Sequence, residues 1–375
     1  MRILILSCNT GGGHNSAAAA VKEYFETRGI SCEIKDALAF DSQIKSNFIS
    51  WGHVFVYKRV PRLFGMGYKY TENHPPKPGK SSIIYNIVKK GAESLHEFLA
   101  DAKEDFDIIV STHIFASMLL TEVKRKYFTK FKTYFIATDY TCSPGVDEID
   151  ADAMFIPHKA LISDFTGNGI PEEKIVPTGI PVKRTFYDKT DADTAKEALG
   201  LPKNKRIVLM MCGSMGCGPL RELAFALSQS IPEDTALVVI CGNNERLYEK
   251  FQKFRGLPNV FVIGFTRKIS LYMDAASVIL TKPGGLSSTE AATKGLPMVL
   301  IDAVPGCESK NMDFFIRNGF AVTDDTVEGL VSKVNELLQD KERAQKMSLA
   351  LYESFAGYAA EKIGSYILGG FRSEW

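Results

Sequence analysis

A histidine stands directly behind three glycines in SCNTGGGHNSAAAA, Ser7 to Ala20. The residues before it, MRILILSC, form a short apolar run suited to a buried strand. Those after it, NSAAAAVKEYFETRG, carry a helical pattern that ends at Gly29. The glycines therefore predict a tight strand-to-helix turn. His14 falls where the helix's first backbone N–H groups point outward, which is a ready anion site. Three roles fit a histidine there: part of a phosphate cradle, a catalytic base, or a helix cap. The dipole at a helix N-terminus disfavours added positive charge, so a neutral imidazole is expected, the state a general base needs near pH 7. The spacing Gly11-x-Gly13-x-x-Ser16, with Asp36 ending the next strand, approaches a dinucleotide fingerprint. Ser16 in place of the third glycine, and a histidine in the turn, count against a dehydrogenase.

The second half of the chain repeats the device. LMMCGSMGCGPLRELAFAL is another glycine turn into a helix, suited to a diphosphate. Further on, VIGFTRKISLYMDAASVILTKPGGLSSTEAATKGLPMVLID reads as a strand end, a helix, a strand, a Pro-Gly-Gly turn and another helix. Pro283, Gly284 and Gly285 let backbone approach a ligand closely, and Ser287 and Ser288 add hydroxyls and N–H groups at the helix start. Glu290, one turn in, can accept from a ribose diol; its plainer role is an acid favoured by the helix dipole. VPGCESKNMDFF then sets Glu308 and Asn311 on consecutive turns, able to hold sugar hydroxyls or simply part of a capped helix.

Short apolar runs alternate with amphipathic stretches along the whole chain, including FDIIVST, KTYFIATD, ALVVICG, VFVIGF and PMVLID. Near-continuous apolar strands in strand–helix–strand order mean parallel sheets covered on both faces. The strands form two series, each opening on a glycine turn. The reading is α/β: two Rossmann-like domains meeting near Ile180, residues 1–182 and 183–355, with both glycine turns facing a cleft beyond the strand C-termini. The last stretch, residues 356–375, is helical and is expected to pack back on the N-terminal domain.

With 375 residues, 45% hydrophobic and 24% charged, the chain has the composition of a soluble globular protein. A net charge of +1 gives no global field for nucleic acid. Seven cysteines without a Cys-x-x-Cys pair fit a reducing cytosol better than a disulfide framework or a zinc site. The N-terminal apolar run, about five residues, is too short for a signal peptide's core, and no window approaches the ~18 apolar residues of a spanning helix. The expectation is a cytoplasmic protein, held at most peripherally to a membrane.

One segment breaks the pattern. Residues 42–80 carry Lys45, Lys58, Arg59, Arg62, Lys69, Lys77 and Lys80 against a single acid, Glu72, interleaved with rings that include Trp51, Phe55 and Phe64. Such a mixture suits an anionic membrane surface, with Trp51, Phe55 and Phe64 at the acyl boundary and Arg59 and Arg62 among phosphates. Rings packed on the N-terminal core would give the same helical spacing.

These residues carry a resemblance. TKPGGLSSTEAATKGLPMVLIDAVPGCESKNMDFFIRNGFAV resembles the donor half of the family 28 glycosyltransferases with the GT-B fold. It is most similar to their monogalactosyldiacylglycerol synthase and processive diacylglycerol glucosyltransferase branch. LSCNTGGGHNSAAAAV resembles that branch's N-terminal glycine loop with its histidine, and ATDYTCSP…FIPHKALISDFTGNGIPEEKIVPTGIPVKRTF the end of its first domain.

The resemblance implies a UDP-sugar donor held chiefly by the C-terminal domain and a lipid acceptor on the N-terminal one, against Gly12 and Gly13. It puts Gly213, Ser214 and Gly216 on the diphosphate, together with Pro283, Gly284, Gly285 and Ser287. Phe265 would meet the base through backbone contacts, Glu290 the ribose, and Cys307, Glu308 and Asn311 the donor sugar. His14 matches the proposed base, oriented by Asp139. The branch usually has Gln where this chain has Cys307; a thiol cannot supply an amide's donor and acceptor together, so the resemblance does not assign the sugar.

The implied reaction is an inverting transfer of a hexose to a diacylglycerol-type hydroxyl at the inner face of the cell membrane, with helix N-termini in place of a metal. No cofactor beyond the donor is expected. The Asp-x-Asp pairs at Asp150–Asp152 and Asp191–Asp193 read as solvated acids. Two further readings stay open: a GT-B enzyme that uses another acceptor or epimerises a UDP-sugar, and a UDP-sugar-sensing binding protein without turnover.

Overall fold

The computed structural model describes residues 1–9, 12–40, 81–103, 105–211, 219–254, 256–257 and 259–369. The chain divides into two compact units, one of Met1–Lys183, Val304–Cys307 and Gly357–Trp375, the other of Arg184–Ala303 and Glu308–Ala356.

In the first unit, six parallel strands form one sheet: β1 (Arg2–Ser7), β2 (Ser31–Asp36), β3 (Ile108–Ser111), β4 (Lys132–Ile136), β5 (Ala153–Ile156) and β6 (Ile175–Pro177), in the order β2-β1-β3-β4-β5-β6. Its described helices are α1 (Gly12–Glu26), α2 (Ile83–Val88), α3 (Ala92–Ala100), α4 (Ile114–Lys126) and α5 (Ile162–Gly167). Alternate residues of β1 serve opposite faces. Ile3 and Ile5 pack with Val21, Phe25, Ile136 and Phe155, while Leu4 and Leu6 pack with Leu95, Leu119 and Val123. That double burial is why β1 reads as an unbroken apolar run. The alanines of α1 let the helix lie close: Ala17, Ala18 and Ala20 are all buried. The chain leaves β1 for β2 on one side and returns to β3 on the other, so the strand order reverses between β1 and β3. Ligands in such sheets lie beyond the strand carboxyl ends at that reversal.

The second unit has its own parallel sheet of β7 (Arg206–Met211), β8 (Thr235–Ile240), β9 (Val260–Ile263), β10 (Val278–Thr281), β11 (Met298–Leu300) and β12 (Ala321–Val322), ordered β12-β11-β10-β7-β8-β9. Here the order reverses between β7 and β10. Its helices are α6 (Ala192–Leu199), α7 (Leu220–Ser230), α8 (Glu245–Phe251), α9 (Ile269–Ala275), α10 (Gly285–Thr293), α11 (Cys307–Arg317), α12 (Val327–Gln339) and α13 (Lys341–Phe355). Two Rossmann-like parallel sheets are the fold class that the sequence implies. The acids of the Asp-x-Asp pairs have structural partners. Asp191 caps α6 through the N–H groups of Asp193 and Thr194, Asp193 pairs with Lys196, Asp152 accepts from Thr133, and Asp150 pairs with Lys124 and Lys174.

The chain ends in α14 (Ala359–Ile367), which packs against α1 in the first unit. Gly364 faces the Tyr24 ring so closely that an added Cβ would lie 1.9 Å from Tyr24 Cε1. The ring cannot swing away freely, because the Arg28 guanidinium sits 3.6 Å from its centroid and is itself paired with Glu361 at 3.5 Å. Alanine normally gains about 1 kcal/mol over glycine inside a helix, but overpacking costs about 1–3 kcal/mol. Gly364→Ala is therefore expected to destabilise the first unit, and Tyr24→Ala in the same chain to relieve the clash. Denaturation midpoints of the single and double variants check this.

Candidate active site

Three strand ends converge on one histidine. His14 lies in the first turn of α1, after β1; Thr112 and His113 follow β3; Thr138 and Asp139 follow β4. Because β1, β3 and β4 are neighbours, these residues share the carboxyl edge of the sheet at its reversal point. His14 Nδ1 is 2.8 Å from the Thr112 carbonyl oxygen and 2.9 Å from Thr138 Oγ1. A carbonyl oxygen only accepts, so Nδ1 carries the proton and Nε2 the lone pair. Thr112 also donates its hydroxyl to the His14 carbonyl at 3.2 Å, gripping the residue at both ends. Burial holds the imidazole below its ordinary value of 6.5; the Asp139 charge and the Thr112 hydrogen bond oppose that shift without cancelling it. The ring is half-buried and neutral at pH 7.

A second imidazole, His113, meets His14 edge to face with centroids 4.5 Å apart. Its Nδ1 accepts from the Phe115 N–H at the start of α4. His158 does the same for Ala160. Imidazole helix caps thus occur in this protein at His113 and His158, whereas the His14 ring is bonded to the ends of other strands. Behind His14, hydrogen bonds run from Ser7 through Asn15 and Asn9 to Asp36, tying the glycine turn to the ends of β1 and β2. Asp36, the ribose acid of a dehydrogenase reading, spends its carboxylate on Asn9 and on the Leu38 N–H.

In the second unit the turn after β10 opens α10. Gly284 precedes the helix, Gly285 begins it, Ser287 is half-buried in the first turn, and Glu290 is half-buried one turn in. Neither Gly12 nor Gly284 adopts a positive φ, and a Cβ on either would meet nothing within 4 Å. Neither conformation nor packing demands glycine there. Ser288 Oγ is buried without a hydrogen-bond partner among the described residues. Asn311, fully buried on α11, donates to the Pro283 carbonyl at 2.9 Å. Through that bond it acts on the turn itself. Glu308 and Cys307 are half-buried at the start of α11, and Phe265 is 63% exposed just beyond β9.

Sequence reasoning missed Lys282. It ends the strand-to-turn step, is only 8% exposed, and lies 3.1 Å from Asp302 and 3.8 Å from Glu308. It also missed Thr112, His113 and Thr138. Gly213, Ser214 and Gly216, and the surface candidates Trp51, Phe55, Arg59, Arg62 and Phe64, lie outside the described residues. Among the described residues, no three His, Cys, Asp or Glu side chains are grouped to hold a metal ion, and no helix is long and apolar enough to cross a membrane.

The chain matches the family Monogalactosyldiacylglycerol (MGDG) synthase over residues 14–182 and Glycosyl transferases group 1 over residues 191–353. It is 29% identical over 374 residues to the processive diacylglycerol beta-glucosyltransferase of Bacillus cereus (strain AH187), covering 98% of this chain and 93% of that one. Among solved structures, it superposes on the S. aureus MnaA–UDP co-structure with a TM-score of 0.65 at 16% identity, over 100% of this chain and 99% of the other. With Acinetobacter baumannii MurG the TM-score is 0.63 at 14% identity, over 98% and 99%. At those identities the two structures speak for the fold alone.

Proposed function

We propose, from a chain that is a GT-B glycosyltransferase related to the monogalactosyldiacylglycerol synthase and processive diacylglycerol glucosyltransferase family, that it moves a hexose from a UDP-sugar to the hydroxyl of a diacylglycerol-type lipid. The printed name of the Bacillus cereus relative supports both acceptor and hexose. The observation that carries the mechanism is the His14 ring, held through Nδ1–H with a basic Nε2.

A lipid hydroxyl is a poor nucleophile until a base takes its proton. His14 Nε2 takes that proton while the acceptor oxygen, over Gly12 and Gly13, bonds to the anomeric carbon. The bond from that carbon to the β-phosphate oxygen breaks, and its electron pair leaves with UDP. In-line attack inverts the centre. The proton rests on His14, steadied by the Asp139 charge, and then passes to solvent. N–H groups at the start of α10 meet the charge on the leaving diphosphate, and the resemblance adds Gly213, Ser214 and Gly216 to that role, so the reaction needs no metal. Glu290 holds the ribose, Phe265 lies by the base, and Glu308 takes the sugar hydroxyls. The basic aromatic stretch of residues 42–80 supports contact with an anionic membrane surface on its cytoplasmic side.

Release of UDP from a panel of UDP-hexoses, with and without vesicles containing diacylglycerol, tests the reading. Turnover that requires the vesicles supports it; UDP-sugar binding without turnover under any lipid sinks it. The pH dependence supplies a second check. Burial disfavours the imidazolium, so a lower pH is needed to protonate His14 than an ordinary imidazole requires. The acid limb of kcat/KM is expected to fall below pH 6.5; a limb centred above that value would assign the base to another group.

A further inference from the structure

Lys282 is an unusual place for an ammonium. Among the described residues, Nζ is buried and satisfies no hydrogen-bond geometry, yet it faces two carboxylates, Asp302 Oδ2 at 3.1 Å and Glu308 Oε2 at 3.8 Å. Burying a charge costs heavily unless partners offset it, so the cluster is not an accident of a solvated surface. Its position narrows what it can do. Lys282 leaves β10 next to the reversal point, one residue before Pro283 and the turn into α10. Asp302 follows β11 with φ 49°, a left-handed conformation that Asp tolerates better than most residues. Glu308 stands in the first turn of α11, its side chain 14% exposed. One cation therefore links the ends of two neighbouring strands to the helix that carries the sugar-facing acid.

We propose that Lys282 is the positioning residue for sugar recognition: its ammonium, beside the Glu308 carboxylate, biases that side chain toward one orientation, so that its oxygens accept from hydroxyls of the donor hexose. The inference rests on the reading of Glu308 as the acid that meets the sugar. Asp302 shares the ammonium, at 3.1 Å against 3.8 Å for Glu308. Asn311, bonded to Pro283, fixes the turn beside them. Sugar recognition is thereby separated from recognition of the diphosphate, which belongs to backbone N–H groups.

UDP is the natural probe, since it lacks the hexose. Kd is measured for UDP and for UDP-glucose and UDP-galactose with the whole chain, for wild type, Lys282→Met, Glu308→Gln and the double variant. Lys282→Met is expected to weaken UDP-hexose by about 10- to 100-fold, the range for losing the charge-assisted hydrogen bond between a sugar hydroxyl and a displaced Glu308, and to leave UDP within about twofold. The double variant is expected to lose little more than either single one, because both act through one carboxylate. Equal weakening of UDP and UDP-hexose would overturn the proposal and place Lys282 on the diphosphate or in the fold. Additive losses would overturn the route through Glu308. If Glu308→Gln binds both probes as wild type does, the reading of Glu308 fails, and the proposal with it, whatever Lys282→Met does. Lys282→Arg serves if the methionine variant does not fold: it keeps the charge, but its planar fork cannot put a donor where Nζ stands. The UDP-hexose to UDP affinity ratio is expected to drop at least about threefold; an unchanged ratio overturns the proposal.

Discussion

His14→Ala is expected to lower kcat by about 10²–10⁴-fold, the range that a lost general base removes, while Kd for UDP stays near that of the wild type. The two readouts separate because the imidazole and the second glycine-rich half do different work. In the proposed mechanism His14 acts through Nε2, while its Nδ1 is committed to Thr112 and Thr138. UDP is proposed to bind at the turns of the second half of the chain. Some stability must be lost as well, since the Thr112 carbonyl gives up a donor, at about 1 kcal/mol. A melting curve taken with the kinetics keeps that effect apart from the chemical one. His14→Gln is the sharper companion: an amide can replace the donor toward Thr112 but cannot take a proton at pH 7. It is expected to recover stability and not kcat. Turnover within about threefold of wild type in the alanine variant would remove His14 from the chemistry.

The place of this histidine was legible because it depends on local pattern. An apolar run, three glycines and an alanine-rich helix lie within about twenty residues of one another, and strand and helix periods identify each. Its partners were not legible. Thr112 is 98 residues away and Thr138 is 124, and nothing in FDIIVSTHIF or FIATDY marks a threonine as a ligand of an imidazole. Only the sheet order, which sets β1, β3 and β4 side by side, joins them. Lys282 escaped for a different reason. A lysine at the end of a strand reads as a solvated residue, and its burial depends on Asp302 and Glu308 arriving from two later elements. Aspartates at two-residue spacing, by contrast, suggested little, and the structure gives Asp191 and Asp152 to a cap and to a threonine. Capping by imidazole, one of the three roles open to His14, exists in this chain at His113 and His158, two positions the sequence did not single out for it.

Lys294→Met is expected to destabilise the second unit by about 3–5 kcal/mol, the usual cost of stranding one member of a buried ion pair. The Lys294 and Asp274 side chains are each 2% exposed, and Nζ lies 2.9 Å from both carboxylate oxygens. The same ammonium donates to the Asp188 carbonyl. Methionine fills much of the volume, so the loss measures charge more than cavity. It leaves the Asp274 carboxylate at the end of α9 without its counter-ion, in a place that water does not reach. Replacing both residues, as Lys294→Met with Asp274→Leu, is expected to recover most of the stability, because removing a buried pair together is often nearly neutral. Urea denaturation followed by proteolysis within residues 184–356 reads the effect locally, as a single two-state value does not describe a chain with two units. A single variant within about 1 kcal/mol of wild type would mean that Asp274 finds another partner or takes up a proton at little cost. The location gives the number a functional edge. Lys294 caps the C-terminus of α10, whose first turn is proposed to hold the diphosphate. UDP at about a hundred times its Kd adds about 2.7 kcal/mol to whatever binds it folded. If the single variant still shows that increment, the pair supports the helix without shaping its N-terminal end. A smaller increment would show that an ion pair at one end of α10 sets the anion site at the other.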